Sequence, residues 1–189
     1  MPLEKLPSII ENSKFTAEGF VESDQGLLVP AYVGSQMGFS SLLNKLILQE
    51  YLYPELLKRN VLALCPFQSC TEYFDFSQMN DDMPFKQHRE FWEKFNSIIG
   101  PVNYETLMPR SKFMIALFDG SHAVDDGLAS EVAYFSRHHG RVIGIRSDFR
   151  LAENLAAPIN IAVRYFLDAG PYNGLFFSGP KAYDLALND

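Results

Sequence analysis

Cysteine is scarce in this chain: two among 189 residues, Cys65 and Cys70, at a spacing that fits neither a redox C-x-x-C pair nor a metal site. A reducing cytoplasm is therefore the expected compartment. No apolar run reaches membrane length and no cleavable leader is visible, so no membrane partner is expected. Basic charge is also short, with 16 Lys and Arg against 23 Asp and Glu and a net charge of -7. The basic residues are scattered, which argues against a nucleic-acid polymer and for a small neutral or cationic substrate. The four histidines form no cluster with Cys or carboxylates at ligand spacing, so no metal is expected. Neither a Gly-Lys-Ser/Thr phosphate loop nor a third dinucleotide glycine occurs. No repeat is visible.

What is present supports one sizeable core: 47% of the residues are hydrophobic. A single α/β domain over 27–189 is expected, preceded by a polar, irregular extension over 1–26. The chemistry concentrates in Phe113 to Arg150. Phe113 to Phe118 is an unbroken apolar run, the pattern of a strand buried on both faces, and Asp119-Gly120 stops it. Gly127 to His139 reads as a helix, with Asp125 or Asp126 as its cap and Gly140 in a left-handed turn at its end. Val142 to Ile145 is the next strand, and the three make one crossover unit.

The apolar stripe of that helix runs through Leu128, Val132 and Phe135, and Glu131 lies three residues from the first and four from the last. Glu131 therefore points toward the sheet. An ionisable group on a core-facing stripe is costly unless it is partnered or used, which makes it a functional candidate. Asp125 lies in the loop entering the helix and Asp119 closes the preceding strand, so three carboxylates gather at the carboxyl edge of a parallel sheet. Taken singly, each has an ordinary reading: caps for Asp125 and Asp126, a turn former for Asp119, a snorkelling surface group for Glu131. Taken jointly, two or more carboxylates around one cleft are what retaining glycosyl transfer requires.

Elsewhere, Leu27 to Val33 reads as the first buried strand, with Pro30 placing its start nearer Ala31. Gly34 to Phe39 is a strand-to-helix turn carrying Gly34 and Gly38, which let backbone approach a ligand. Ser40 to Asn60 is helical, its stripe Leu42, Leu43, Leu46, Ile47, Tyr51, Leu56 and Leu57, with a kink near Pro54. Val61 to Leu64 is the second strand. The stretch 66–82 is too long for a plain connector and suits a lid or wall over the cleft. Phe85 to Ile99 is an amphipathic helix carrying Trp92 and Phe95. His122, between Asp119 and Asp125, is the one histidine that could lie near a substrate. A final helix is expected within the last twenty residues.

The segment Ala116 to Arg150 resembles the signature of the nucleoside 2-deoxyribosyltransferase family: an apolar strand ending in Asp-Gly, then Asp-x-Gly, small residues and Glu, then a Gly-basic-apolar strand and D-x-R. Asp119-Gly120, Asp125, Gly127, Glu131, Gly140 and Arg141 occupy those places. The strand with Tyr32, the turn with Gly34 and Gly38, and the aromatic Phe39 match the family's opening, although Ser35 and Gln36 replace its more usual Gly-Pro. The resemblance spans roughly residues 31–166 and implies a flavodoxin-like, mostly parallel sheet with helices on both faces. It implies exchange of the base of a (2'-deoxy)nucleoside through a glycosyl-enzyme, with no cofactor, the partners being a nucleoside and a free nucleobase. In its terms Glu131 is the nucleophile, Tyr32 holds it, and Asp125 binds the sugar and assists proton transfer. The turn Gly34, Gly38 and Phe39 lines the sugar pocket with Asp119 nearby, and Gln68 and Glu105 meet the base. Asn160, in a Pro-x-Asn-apolar segment, reaches the site of a neighbouring subunit in a homo-oligomer. Asn160 as an ordinary helix cap is the alternative. The same carboxylates would serve an N-glycosidase with water as acceptor, and a non-catalytic nucleotide-binding module is a further alternative.

Overall fold

The computed structural model describes residues 5–74, 83–120, 124–147 and 157–188. A short helix α1 (Ser8–Glu11) leads to the antiparallel strands β1 (Lys14–Phe15) and β2 (Val21–Ser23), then β3 (Gly26–Ser35) and a 3-10 turn (Gln36–Phe39). A continuous helical arm follows, α2 (Ser41–Leu43), a π-helical stretch (Asn44–Leu52) and α3 (Tyr53–Leu57), and then β4 (Val61–Leu64) and α4 (Pro66–Cys70). Helix α5 (Phe85–Gly100) runs through a second π-helical stretch (Pro101–Leu107) and α6 (Met108–Arg110) into β5 (Phe113–Leu117). Helix α7 (Asp126–His138), β6 (Arg141–Arg146), α8 (Ile161–Ala169), β7 (Leu175–Ser178) and α9 (Ala182–Asn188) complete the chain.

The parallel strands lie in the order β4-β3-β5-β6-β7, with β2 and β1 added antiparallel at the start of β3. Counted from β3 this is the 2-1-3-4-5 order of a flavodoxin-like α/β fold. Its connections part in opposite directions between β3 and β5, so a crevice opens at their carboxyl ends. The pleat sends successive side chains to opposite faces. Tyr32, Met114 and Ala116 join Leu128, Val132 and Phe135 of α7 in one core layer. Val33, Ile115 and Leu117 join Leu48, Leu52 and Leu56 of the helical arm in the other.

Several local expectations change. Residues 8–26 are not irregular but supply α1 and the hairpin that extends the sheet. Pro30 sits inside β3: its carbonyl accepts the Lys112 amide just before β5 pairing begins at Phe113, so its missing N–H breaks no rung of that ladder. On the helical arm Leu48, Leu52 and Leu56 are buried, whereas Leu42, Leu46, Tyr51 and Leu57 are exposed. The π-helical turn exceeds four residues and aligns positions four apart, which turns Leu42, Leu46, Tyr51 and Leu57 of the expected stripe outward while Leu43, Ile47 and Leu56 keep their place against the core. Pro54 falls where that stretch returns to α-helix, so no separate kink is needed. Gly140 has no positive φ. A Cβ there would lie 2.8 Å from the Lys112 carbonyl oxygen, so glycine permits close approach of backbones instead. The last twenty residues contain β7 as well as the expected helix.

Candidate functional site

The crevice between β3 and β5 holds a cleft of about 590 Å³. Its floor is built from β3 and α7. Asp125 adopts extended backbone and its Oδ1 accepts the Leu128 amide at 3.0 Å, which caps α7 and fixes the helix in rotation. Leu128, Val132 and Phe135 then face the sheet, and Glu131 faces it with them. Tyr32 is fully buried, and its hydroxyl donates to Glu131 Oε1 at 2.6 Å. Gly34, two residues along the same face of β3, gives the other oxygen its room: a Cβ there would lie 2.9 Å from Glu131 Oε2 and 2.8 Å from Leu128 Cδ1 and Met114 Cε. Alanine at Gly34 would displace the carboxylate.

A third group completes the setting. Asn103 Nδ2 donates to Glu131 Oε1 at 3.3 Å, so that oxygen carries two hydrogen bonds while Oε2 accepts none from the described residues. Burial pushes the Glu131 carboxyl up to about 7; the Tyr32 hydrogen bond pulls down, the nearby charge of Asp125 pushes up, and Asn103 pulls down. Tyr32 is itself held well above its ordinary value, first by burial and then by the Glu131 charge, so it stays a donor. A carboxylate poised near neutrality, anchored by one oxygen and open at the other, is suited to nucleophilic attack or proton transfer.

Around this centre Asp125, Gly127 and Leu128 form one side of the cleft, and Ser35, Gly38 and Asn44 the next. The opposite wall is apolar and aromatic: Pro66, Phe67 and Cys70 from α4, and Trp92, Phe95 and Ile99 from α5. Gly38 lets Phe67 close in, since a Cβ at Gly38 would meet the Phe67 ring at 2.0 Å. None of the described residues lining the cleft is Lys, Arg or His. Among the described residues no group of three or more His, Cys, Asp or Glu side chains could hold a metal ion.

Of the residues singled out in the sequence, Glu131, Asp125, Tyr32, Gly34 and Gly38 meet here. Phe39 lies in the 3-10 turn beside them, its side chain outside the described set. Tyr32 and Gly34 reach the site through Glu131 without lining the cleft, and four others stand away from it. Asp119 is buried behind it, accepting the Ser147 amide at 2.8 Å and hydroxyl at 3.0 Å, and so ties the ends of β5 and β6 together. Gln68 and Glu105 face solvent. The wide π-helical turn at 101–107 presents Asn103 to the cleft and turns Glu105 outward. Asn160 caps α8, its Oδ1 accepting the amides of Ala162 at 2.8 Å and Val163 at 3.4 Å. His122, Asp148, Arg150 and the stretch 75–82 lie outside the described residues.

Four contributors escaped sequence reasoning. Asn103 was a polar residue among the buried Val102, Thr106 and Leu107, a signal that could have marked it. Trp92 and Phe95 read as an ordinary helix stripe. Gln36 stands where the resembling family has another residue. Its Nε2 donates to the carbonyls of Phe118 and Asp119 at 3.1 Å each, and its Oε1 accepts the Asp125 amide at 2.9 Å. It thus ties the β3 and β5 exits to the residue that caps α7.

No family model and no curated protein matches this chain. The fold does have a solved counterpart. A crystal structure described as a conserved protein from Enterococcus faecalis superposes with a TM-score of 0.50 at 15% identity, covering 85% of this chain and 98% of that one. At that identity the likeness concerns the fold alone. No helix among the described residues is long and apolar enough to cross a membrane.

Proposed function

We propose that the protein is a glycosyltransferase that exchanges the base of a nucleoside through a covalent glycosyl-enzyme on Glu131. The observation that carries this reading is the Tyr32–Glu131–Asn103 arrangement, which anchors one carboxylate oxygen and leaves the other unoccupied beside a cleft. Glu131 Oε2 forms a bond to C1' as the C1'–N bond breaks; the base leaves with the electron pair and takes up a proton, with Asp125 assisting the transfer. A second base then attacks C1' through a ring nitrogen and loses its proton, and the ester to Glu131 breaks to regenerate the carboxylate. The aromatic wall of Phe67, Trp92 and Phe95 suits a planar base.

The absence of basic side chains among the described lining residues favours a nucleoside over a nucleotide. Assembly belongs to the same proposal. Asn160 sits beside Ile161 and Tyr165, which expose apolar surface on α8, and a neighbouring copy docked there would bring Asn160 to a second cleft. Mixing inactive Glu131→Ala and Asn160→Ala proteins would then restore activity through hybrid sites.

The test is direct. With a slow 2-fluoro nucleoside, intact-mass spectrometry should show one added sugar and peptide mapping should place it on Glu131. An adduct elsewhere, or full turnover by Glu131→Gln, would overturn the assignment. Preferred transfer to water over a free base would keep the nucleophile and make the protein an N-glycosidase.

A further inference from the structure

Asn103 has spent only half of its amide. Its Nδ2 serves Glu131 Oε1, because a carboxylate oxygen needs a donor, and this orientation turns Oδ1 the other way. Asn103 is 8% exposed and borders the cleft, and its Oδ1 is shielded from water and has no donor among the described residues. A buried acceptor left bare costs stability, and a bound ligand that supplies a hydrogen recovers the loss. The ligand's chemistry follows from where Asn103 stands.

Stereochemistry decides which donor of a nucleoside can arrive there. The nucleophile must approach C1' on the face opposite the departing base. In a β-nucleoside that is the lower face of the sugar, and the base, with its own N–H groups, lies on the other. The ribose 2'-hydroxyl projects from the carbon next to C1' onto the same lower face as the nucleophile. A side chain hydrogen-bonded to Glu131 stands on that side; the 3'-hydroxyl shares the face but sits one carbon further from C1', so O2'–H is the donor nearest to it.

We propose that Asn103 is a specificity-determining residue whose Oδ1 accepts the 2'-hydroxyl, so that the sugar transferred is ribose and not 2-deoxyribose. The proposal rests on the glycosyl-transfer reading of Glu131, and it departs from the deoxyribosyl preference that the sequence resemblance implies. A hydrogen bond to the 2-hydroxyl of a sugar strengthens as positive charge develops at the anomeric carbon, so the contact raises the rate of the chemical step as well as binding.

The experiment compares adenosine with 2'-deoxyadenosine, and cytidine with 2'-deoxycytidine, as sugar donors to a second free base. The wild-type protein should use each ribonucleoside with a kcat/KM roughly ten- to a hundredfold above its deoxy partner, the scale of one buried acceptor satisfied or left bare. Asn103→Leu keeps the volume and removes the amide. It slows both sugars by withdrawing the bond to Glu131, but the ribo-to-deoxy ratio should fall toward one. Asn103→Asp keeps an acceptor and should retain the preference at a lower overall rate. A wild-type preference for deoxyribose, equal use of both sugars, or a ratio unmoved in Asn103→Leu would overturn the role of Asn103 and leave Glu131 chemistry standing. Cleavage of neither sugar, with no adduct on Glu131, would overturn both. The wild-type ratio needs no variant and so survives any loss of folding on substitution.

Discussion

Two clefts of similar volume open at opposite edges of the sheet, about 590 Å³ at the carboxyl edge and about 530 Å³ at the amino edge. The second is lined by Leu6, Ile10 and Phe15 with Arg110, Ser111 and Lys112. Apart from the exposed Glu11, its polar groups turn back on backbone: Ser13 to the Ile9 carbonyl, Arg110 to that of Thr106, Ser111 to that of Leu107, and Lys112 to that of Glu18, with the Lys112 ammonium also over the Phe20 ring. At the carboxyl edge Ser35, Asn44, Thr71 and Asp125 likewise bond to nearby backbone, but Tyr32 and Asn103 come from distant segments to one carboxylate, and among the described residues Glu131 Oε2 and Asn103 Oδ1 have no partner. Volume therefore does not distinguish the two. What does is polar capacity held in a cleft and not consumed by the fold, which native interiors rarely leave unused.

The sharpest way to break this contrast is to exchange one side chain at each edge. Glu131→Gln keeps shape and hydrogen bonding but removes the charge, and base exchange should fall by on the order of a thousandfold or more while nucleoside binding persists. Lys112→Met should leave turnover unchanged. Comparable losses in the two variants, measured by product assay, would mean that the contrast carries no function.

Next in size is the anchor. Tyr32→Phe removes a hydrogen bond to a charged group, worth about 1.5–3 kcal/mol, and should slow the chemical step by roughly ten- to a hundredfold. It should also move the acid limb of the pH–rate profile upward, since the Tyr32 bond lowers the Glu131 value. A lower limb would contradict the hydrogen bond's role.

The pH dependence itself follows. If Glu131 must be ionised to attack, kcat/KM should rise with pH through about 7, and Asp125→Asn should shift that rise downward because the Asp125 charge raises the Glu131 value. Stability has the opposite sign. A carboxyl raised in the folded state contributes stability fully below its unfolded value, and loses it as pH climbs through the folded one. Thermal melts should therefore show Glu131→Gln more stable than wild type at pH 8 and little different at pH 4. The reverse order would show that the site does not hold Glu131 under strain.

The smallest effects concern glycines. Gly34→Ala meets Glu131, Leu128 and Met114 at under 3 Å and should cost about 1–3 kcal/mol, together with activity. Gly100→Ala meets nothing within 4 Å in a helical segment and should stabilise by up to about 1 kcal/mol without touching activity. Denaturant melts distinguish the two. Equal behaviour would mean that Gly34 is not shaped by the carboxylate.

Much of this architecture was legible in the chain. The apolar run of β5, the cap Asp125 and the stripe Leu128–Val132–Phe135 are local patterns, and local periodicity sufficed to turn Glu131 inward. The π-helical stretches were not legible, because a turn closed from i to i+5 leaves no mark in an apolar pattern read at 3.6 residues. That is why Leu42 and Leu46 were expected inside and stand outside; Glu105, expected at the base from the family resemblance, is turned outward by the second such stretch. Asp119 sat at the right place in sequence, but whether a strand-ending carboxylate enters a cleft or ties down the next strand depends on Ser147, beyond the intervening helix.

By itself, then, the sequence determined the crossover unit, its inward carboxylate and the α/β class, because strand and helix periods act over a few residues. Tertiary structure alone decided that Tyr32, 99 positions away, would anchor Glu131, that Gly34 would make room for its second oxygen, and that Asn103 would bring a half-used amide beside it. Those three depend on the register of β3 against β5 and on the pitch of one helix, which are set by packing among distant segments and are written in no single one of them.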